Sequence, residues 1–429
     1  MGSSWSDPPG LWRGSWWRGF ATRASQYFSL SPDKVAAGAA SAAAAEQARQ
    51  SAQLEAPVIW LLGKVQSGKS SIIQRLTGAT QAEIGEGYRA KTRTAMIFDF
   101  PAEAPLLRFL DTRGLGETGY DPAEDLAASE AKANLLIAVM RAGDPSQQPV
   151  IDVLRRVRDK HPDWPVIVAQ TWLHARYPAK FTHPLPYPFT GRPEDAGLPG
   201  VPDDLSRALT HQRGSFSDMP GTAPILFVPI DFTRPEDGLS PADYGVEALL
   251  SAIETAAPAT VRSRLSALRA SEGDDLSTAA HGLIVGFSFA AAGADVVPVV
   301  GMVAVPGIQG ALLHALAGRF GVEWSREHIL AFLSSLGTLA LTRYGLGFGL
   351  RQLAKLIPVY GQSVGAAAAA AASFIFTYAL GRAACVYLAA RRIGQKPKDD
   401  EIVAAYAKGL REAFDIFNRR KVDGTGSTV

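Results

Sequence analysis

Residues Gly63-Lys64-Val65-Gln66-Ser67-Gly68-Lys69-Ser70 fit the pattern GxxxxGK[ST] without a deviation. The chemistry this spacing suits is the cradling of a phosphate chain. Gly63 and Gly68 allow the backbone to wrap an anion and turn its N–H groups inward. A helix beginning behind them aims its positive end at the same point. Lys69 offers a cation to the terminal phosphates and Ser70 a hydroxyl to Mg²⁺. Gln66, Ser67 and Ser71 complete the candidate phosphate contacts. Asp111-Thr112-Arg113-Gly114 follows about forty residues later. Asp111 could hold Mg²⁺ through water, and Gly114 would let a backbone N–H approach the last phosphate. Lys91-Thr92-Arg93-Thr94 lies between the two motifs. Thr92 is the candidate that closes on Mg²⁺ and the terminal phosphate, with Thr94 the fallback. A plain pair of threonines at a strand start is the alternative.

These residues need rigid elements behind them. Short apolar runs alternate with helical patterns from residue 57 to about 258, the signature of an α/β fold with a doubly wound, mostly parallel sheet. The strand candidates are Pro57–Leu62, Thr94–Asp99, Leu106–Leu110, Asn134–Met140, Val166–Gln170 and Ile225–Ile230. Helices are expected to begin near Lys69, Pro122, Pro145 and Tyr244. The Pro- and Gly-rich stretch 177–221 is too long for an ordinary connection and reads as an insertion with one short helix, Asp203–His211. The expected domains are an N-terminal extension (1–55), the α/β domain (56–258), a charged helical connector (259–275) and an all-α apolar domain (276–420). The last ends in an amphipathic helix, where Ile402, Tyr406, Leu410, Phe414 and Phe417 recur at helical spacing.

The chain has 429 residues, a length for two or three domains. With 43 Lys+Arg against 41 Asp+Glu the net charge is +2, which gives no electrostatic case for a nucleic-acid partner. The single cysteine, Cys385, excludes an internal disulfide and a multi-cysteine metal site. Charge is unevenly spread: only eight Asp, Glu, Lys or Arg occur between Leu276 and Gly381. Near the start, Trp5, Trp12, Trp16 and Trp17 are interleaved with Arg13, Arg18 and Arg23. Such a stretch suits a bilayer interface; docking of the rings on the protein's own surface is the alternative. The alanine-rich run Val35–Ala45 reads as a helix.

Strand, GxxxxGKSS, helix, a Thr-Arg switch and DTxG before a glycine-rich segment resemble the Era-like GTPases of the TrmE–Era–EngA–septin branch, with dynamin-like relatives. The resemblance covers roughly residues 57–258. It implies GTP as ligand and substrate, Mg²⁺ as cofactor, and Lys69, Thr92 and Gly114 as the catalytic set, with Ser70, Thr92 and Asp111 around the metal. It also implies that pairing of two G domains in a homodimer could aid hydrolysis. The C-terminal region resembles the YcjF-type helical domain, through Ala294-Asp295-Val296-Val297-Pro298, Leu356-Ile357-Pro358-Val359-Tyr360-Gly361 and the small-residue helix that follows. That domain is membrane-associated in some members and is found fused to such GTPases in bacteria.

The sequence departs from that family at the base. The resemblance implies N/TKxD after the fifth strand, whose Asp accepts hydrogen bonds from guanine. Here the run is Gln170-Thr171-Trp172-Leu173-His174. Thr171 can stand in the first position, but Trp172 and His174 replace the Lys and the Asp. Asp231 could approach the base from the next loop; a turn or helix cap is its alternative. Leu115 stands where Ras-like enzymes carry the water-orienting Gln, and Gln66 where some relatives carry a potassium-binding Asn. Glu117 or Arg113 could act instead, though both also read as solvated charges. Slow or partner-dependent hydrolysis is therefore expected.

The apolar third offers three stretches for membrane association within 276–390. Leu276–Ala294 contains His281, Val296–Gly318 carries Pro298 and Pro306, and Leu356–Gly381 is free of charge. About eighteen helical residues at ~1.5 Å each give roughly 27 Å, marginal for a ~30 Å hydrocarbon core. A soluble bundle of buried helices is the alternative. The expectation is a membrane-associated GTP-binding switch at the cytoplasmic face of the inner membrane, or in the cytoplasm if the bundle is soluble. A non-hydrolysing or ATP-binding module and a membrane-remodelling protein gated by its G domain are the competing readings.

Overall fold

The computed structural model describes residues 42–79, 88–90, 95–112, 133–191, 199–233, 235–269, 275–295, 298–340 and 364–424. Two compact units emerge. One takes in the described residues of 56–102 and 107–269; the other takes in the described residues of 42–55, 103–106 and 275–424.

The first unit is built on a seven-stranded sheet. Its strands are β1 (Val58–Leu62), β2 (Tyr88–Ala90), β3 (Ala95–Phe100), β4 (Leu107–Thr112), β5 (Ala133–Arg141), β6 (Val166–Thr171) and β7 (Ile225–Pro229). Their order is β2-β3-β4-β1-β5-β6-β7. The five strands from β4 to β7 run parallel, and β3 and β2 are added antiparallel at one edge. Every residue of β1 and of β6 is buried, as a strand with both faces covered requires. This is the mostly parallel α/β fold the sequence predicts. Each expected strand forms within two residues of its expected ends, whereas β2 was not expected. Three residues, Tyr88-Arg89-Ala90, are too few for a periodicity to register.

Alternation along the strands sends one set of side chains to each face. Val58, Trp60 and Leu62 of β1, Leu136, Ala138 and Met140 of β5, and Val166 and Val168 of β6 share one core cluster. Helix α3 (Gln148–Lys160) closes it with Val150, Ile151, Val153, Leu154 and Val157. Helix α2 (Lys69–Thr77) follows β1 and buries Ile72, Ile73 and Leu76. Helix α4 (Asp203–Gly214) is the insertion's helix and buries Leu205 and Leu209. Helices α5 (Val246–Ala256) and α6 (Ala259–Arg269) end the unit. A two-stranded ribbon, β8 (Asp231–Phe232) with β9 (Asp243–Tyr244), follows β7. The helix expected near Pro122 lies outside the described residues.

The second unit is helical: α1 (Ala42–Glu55), α7 (Asp275–Ala294), α8 (Pro298–Phe320), α9 (Arg326–Ala340), α10 (Val364–Arg392) and α11 (Asp399–Gly424). Helix α1 packs on α7 and α8, so this alanine-rich segment from the start of the chain shares a core with helices more than two hundred residues on. Terminal helix α11 turns Ile402, Tyr406 and Leu410 inward against α10. Pro306 sits inside α8. Among the described residues one helix, Ala369–Arg392, is long and apolar enough to cross a membrane, and 78% of its most apolar window is buried within the protein. A line of polar groups lies inside the bundle. Ser373 Oγ donates to Asp295 Oδ2 at 2.8 Å, and Gln309 Nε2 donates to Thr377 Oγ1 at 3.2 Å.

Candidate functional site

The strand ends β4, β1, β5 and β6 meet along one edge of the sheet, where ligands of open parallel α/β sheets bind. Gly63 leaves the end of β1. A Cβ there would overlap the carbonyl oxygen of Val139 on β5 and stand 2.8 Å from Ser67 Oγ, so only glycine lets the loop pass so close to the neighbouring strand. Gln66 (φ 59°) and Gly68 (φ 104°) take left-handed backbone, which folds the loop back on itself before α2 begins. No side chain caps the start of α2, which leaves its first-turn N–H groups to face the loop. Ser67 Oγ is buried with no hydrogen-bond partner among the described residues. A buried hydroxyl and an uncapped helix start around a glycine turn fit an anion of phosphate size.

Lys69 is buried at the centre of this cradle. Its Nζ donates to the carbonyls of Gly63 and Lys64, both at 2.7 Å, and lies 3.5 Å from Asp111 Oδ1. The ammonium thus bridges the phosphate loop and the end of β4. Asp111 pairs in register with Met96 on one side and Leu61 on the other, which fixes its carboxylate beside the loop. Ser70 and Ser71 occupy the first turn of α2. The structure therefore brings Gly63, Gln66, Ser67, Gly68, Lys69, Ser70, Ser71 and Asp111 to one place. Thr92 and Gly114 lie outside the described residues, as do Thr94, Arg113, Leu115 and Glu117.

The β6 end is tied to the same loop. Thr171 Oγ1 donates to the Ser67 carbonyl at 2.7 Å, and a Cβ on Gly68 would meet the Thr171 methyl at 3.4 Å. Thr171 spends its hydroxyl on the phosphate loop. Asp231 is equally committed. It is 2% exposed, and its carboxylate accepts the His174 backbone N–H at 2.7 Å and faces His174 Nδ1 at 2.9 Å.

Two contacts escaped the sequence reading. Lys64 Nζ donates to Asp144 Oδ2 at 2.8 Å and to the Ser146 carbonyl, pinning the phosphate loop to the turn after β5. Burial alone would raise the Asp144 pKa, but the hydrogen bonds from Lys64 and the Ser146 N–H prevail and hold it below the usual carboxylate value. The pairing of His174 with Asp231 was the other. Nothing in the spacing of residues 57 apart announces it.

Residues 58–171 match the family model described as 50S ribosome-binding GTPase. No curated protein matches the chain. A solved structure titled as a mutation variant of SsGBP is 16% identical, with 52% of this chain and 67% of that chain covered, at a TM-score of 0.24. That score is too low to bear on the fold. The mostly parallel sheet and the phosphate loop at the end of its central strand have the architecture of a P-loop G domain, and the stretch that forms them is similar to a GTPase family.

Proposed function

We propose that the chain is a membrane-associated GTP-binding switch that hydrolyses GTP slowly at the cytoplasmic face of the inner membrane. The observation that carries the nucleotide half is the buried Lys69 ammonium, set between the carbonyls of the phosphate loop and the carboxylate of Asp111. Lys69 would neutralise the β- and γ-phosphates, and the loop N–H groups would hold their oxygens. Mg²⁺ fits the hard oxygen donors Ser70, Asp111 and Thr92, and would supply charge neutralisation at the transferring phosphate. Gly114 would report the γ-phosphate to the residues that follow it. Two G domains meeting in a homodimer could supply the group that orients water, since Leu115 cannot.

The membrane half rests on the helical unit, whose long α10 window has a mean hydropathy of 1.4. In this reading the nucleotide state controls how that unit engages a bilayer or another copy. A second reading, a water-facing bundle that never meets lipid, is favoured by the 78% burial of the same window and by the buried Ser373–Asp295 hydrogen bond. Flotation of the purified chain with anionic vesicles separates them. Co-flotation that differs between GTP-analogue and GDP states supports the switch at a membrane; no flotation in either state leaves the soluble bundle. With GTP and Mg²⁺ alone, turnover below about one per minute is expected. Rapid multiple turnover by the isolated monomer would contradict slow hydrolysis.

A further inference from the structure

The end of β6 carries a pair that the phosphate loop does not use. Trp172 takes left-handed backbone (φ 61°, ψ 43°), a costly conformation for a bulky side chain. Of the three non-glycine residues with positive φ among those described, Gln66 sits in the phosphate loop and Trp172 directly follows the strand bonded to it. The Trp172 ring is 38% exposed and carries the Arg141 guanidinium 4.2 Å from its centroid. His174 comes two residues later, its side chain 29% exposed, with Nδ1 on the buried Asp231 carboxylate. A nucleotide whose phosphates lie at Gly63–Ser70 would run its base along this edge, and beyond Thr171 the next polar side chain is His174.

Resting on the reading of the chain as a nucleotide switch, we propose that His174 reads the purine base through Nε2, with Asp231 as the residue that positions it and sets its tautomer. A carboxylate only accepts, so the proton shared with Asp231 must sit on Nδ1. In the neutral ring Nε2 is then a lone-pair acceptor. It can take one hydrogen bond, from the N1–H of guanine, which is one of those a carboxylate would accept. Adenine presents an acceptor at its N1, so it meets Nε2 lone pair to lone pair. Protonation turns Nε2 into a donor and reverses this preference.

The charged groups around the ring are Asp231 on β8, Asp237 in the short helix after it, and Arg141 on β5; the His183 imidazole lies within electrostatic reach. The hydrogen bond to Asp231 dominates and raises the His174 pKa above the usual histidine value, with burial and Arg141 opposing it. Guanine binding by the neutral ring releases a proton from whatever fraction is protonated. GTP affinity should therefore rise with pH and level off above that raised pKa, while ATP affinity stays flat or falls.

The test is titration of the full chain with Mg²⁺ and non-hydrolysable GTP and ATP analogues between pH 6 and 8.5. The GTP-to-ATP affinity ratio is expected to climb on the order of tenfold across this range. His174→Phe should flatten the ratio near unity at every pH. Asp231→Asn keeps an acceptor for Nδ1–H but removes the charge, so the same climb should occur at lower pH. A ratio independent of pH in the wild-type chain, or one that grows as pH falls, overturns the proposal, as does a His174→Phe ratio equal to wild type. Failure of the wild-type chain to bind either analogue would instead overturn the nucleotide-switch reading and this proposal with it.

Discussion

Replacing Lys69 by methionine is expected to lower the affinity for Mg²⁺-GTP by about two orders of magnitude or more. The methionine keeps the apolar stem and removes only the ammonium. That ammonium is the cation the phosphate loop holds at its centre, within 2.7 Å of two loop carbonyls. A charge-assisted hydrogen bond is worth roughly 1.5–3 kcal/mol, and a factor of a hundred in Kd is about 2.7 kcal/mol, so the loss of one such contact suffices. Calorimetric titration reads the affinity directly. The fold must be checked in parallel, because Lys69 also lies 3.5 Å from Asp111, a residue 8% exposed. Removing a cation beside a buried carboxylate costs stability and should lower the melting temperature by a few degrees. A folded variant that binds within threefold of wild type would sink the assignment of Lys69 to the phosphates.

Arg158→Ala is expected to destabilise the α/β unit severely. Arg158 is 2% exposed and donates from Nη1 to the Trp164 carbonyl at 2.8 Å and from Nη2 to the Ala223 carbonyl at 2.9 Å, while Nε meets the Pro220 carbonyl. One side chain thus fastens the end of the insertion to the turn before β6. Gly221 makes room for it: a Cβ there would stand 2.7 Å from Nη2, and the φ of +97° is one that glycine accepts without strain. Truncation leaves three carbonyls short of a donor and a cavity where the guanidinium lay. At about 1–3 kcal/mol for each abandoned buried group, partly relieved by water, roughly 3–5 kcal/mol is the expected cost. For a unit of this size that is on the order of 10 °C in melting temperature. A shift under 2 °C by differential scanning calorimetry would show that solvent replaces the guanidinium freely.

Arg158 also marks where sequence reading stops. In α3, Arg155, Arg156 and Arg158 look alike, yet only Arg158 is buried. Its spacing from Ile151 and Leu154 places it on the helix face that meets the sheet, so its phase was legible. Its chemical type argued for solvent, because the acceptors that make burial tolerable come from Trp164, Pro220 and Ala223, the last of them 65 residues beyond Arg158. The same holds at the site. The run Gly63–Ser70 was readable because a phosphate cradle is local: glycines, lysine and serine act within one strand–turn–helix. Asp111 was readable because a strand end beside that turn follows from a parallel sheet. His174 was seen only as a missing carboxylate. That the carboxylate stands on the adjacent β8, behind an imidazole, depends on the pairing of β6 with β7 and so on the whole sheet.

The sequence by itself determined the elements that rest on local pattern. These are the buried parallel strands with their helices, the phosphate loop, and the long apolar helices of the C-terminal third. Continuous apolar runs and glycine spacing are properties of consecutive residues, and their physics needs no distant partner. Only the tertiary structure decided which polar groups are paired. It set Thr171 on the Ser67 carbonyl, Lys64 on Asp144, Asp231 beneath His174, and α1 into the helical unit. A buried donor must find its acceptor wherever the fold brings one, and sequence separation carries no record of that meeting.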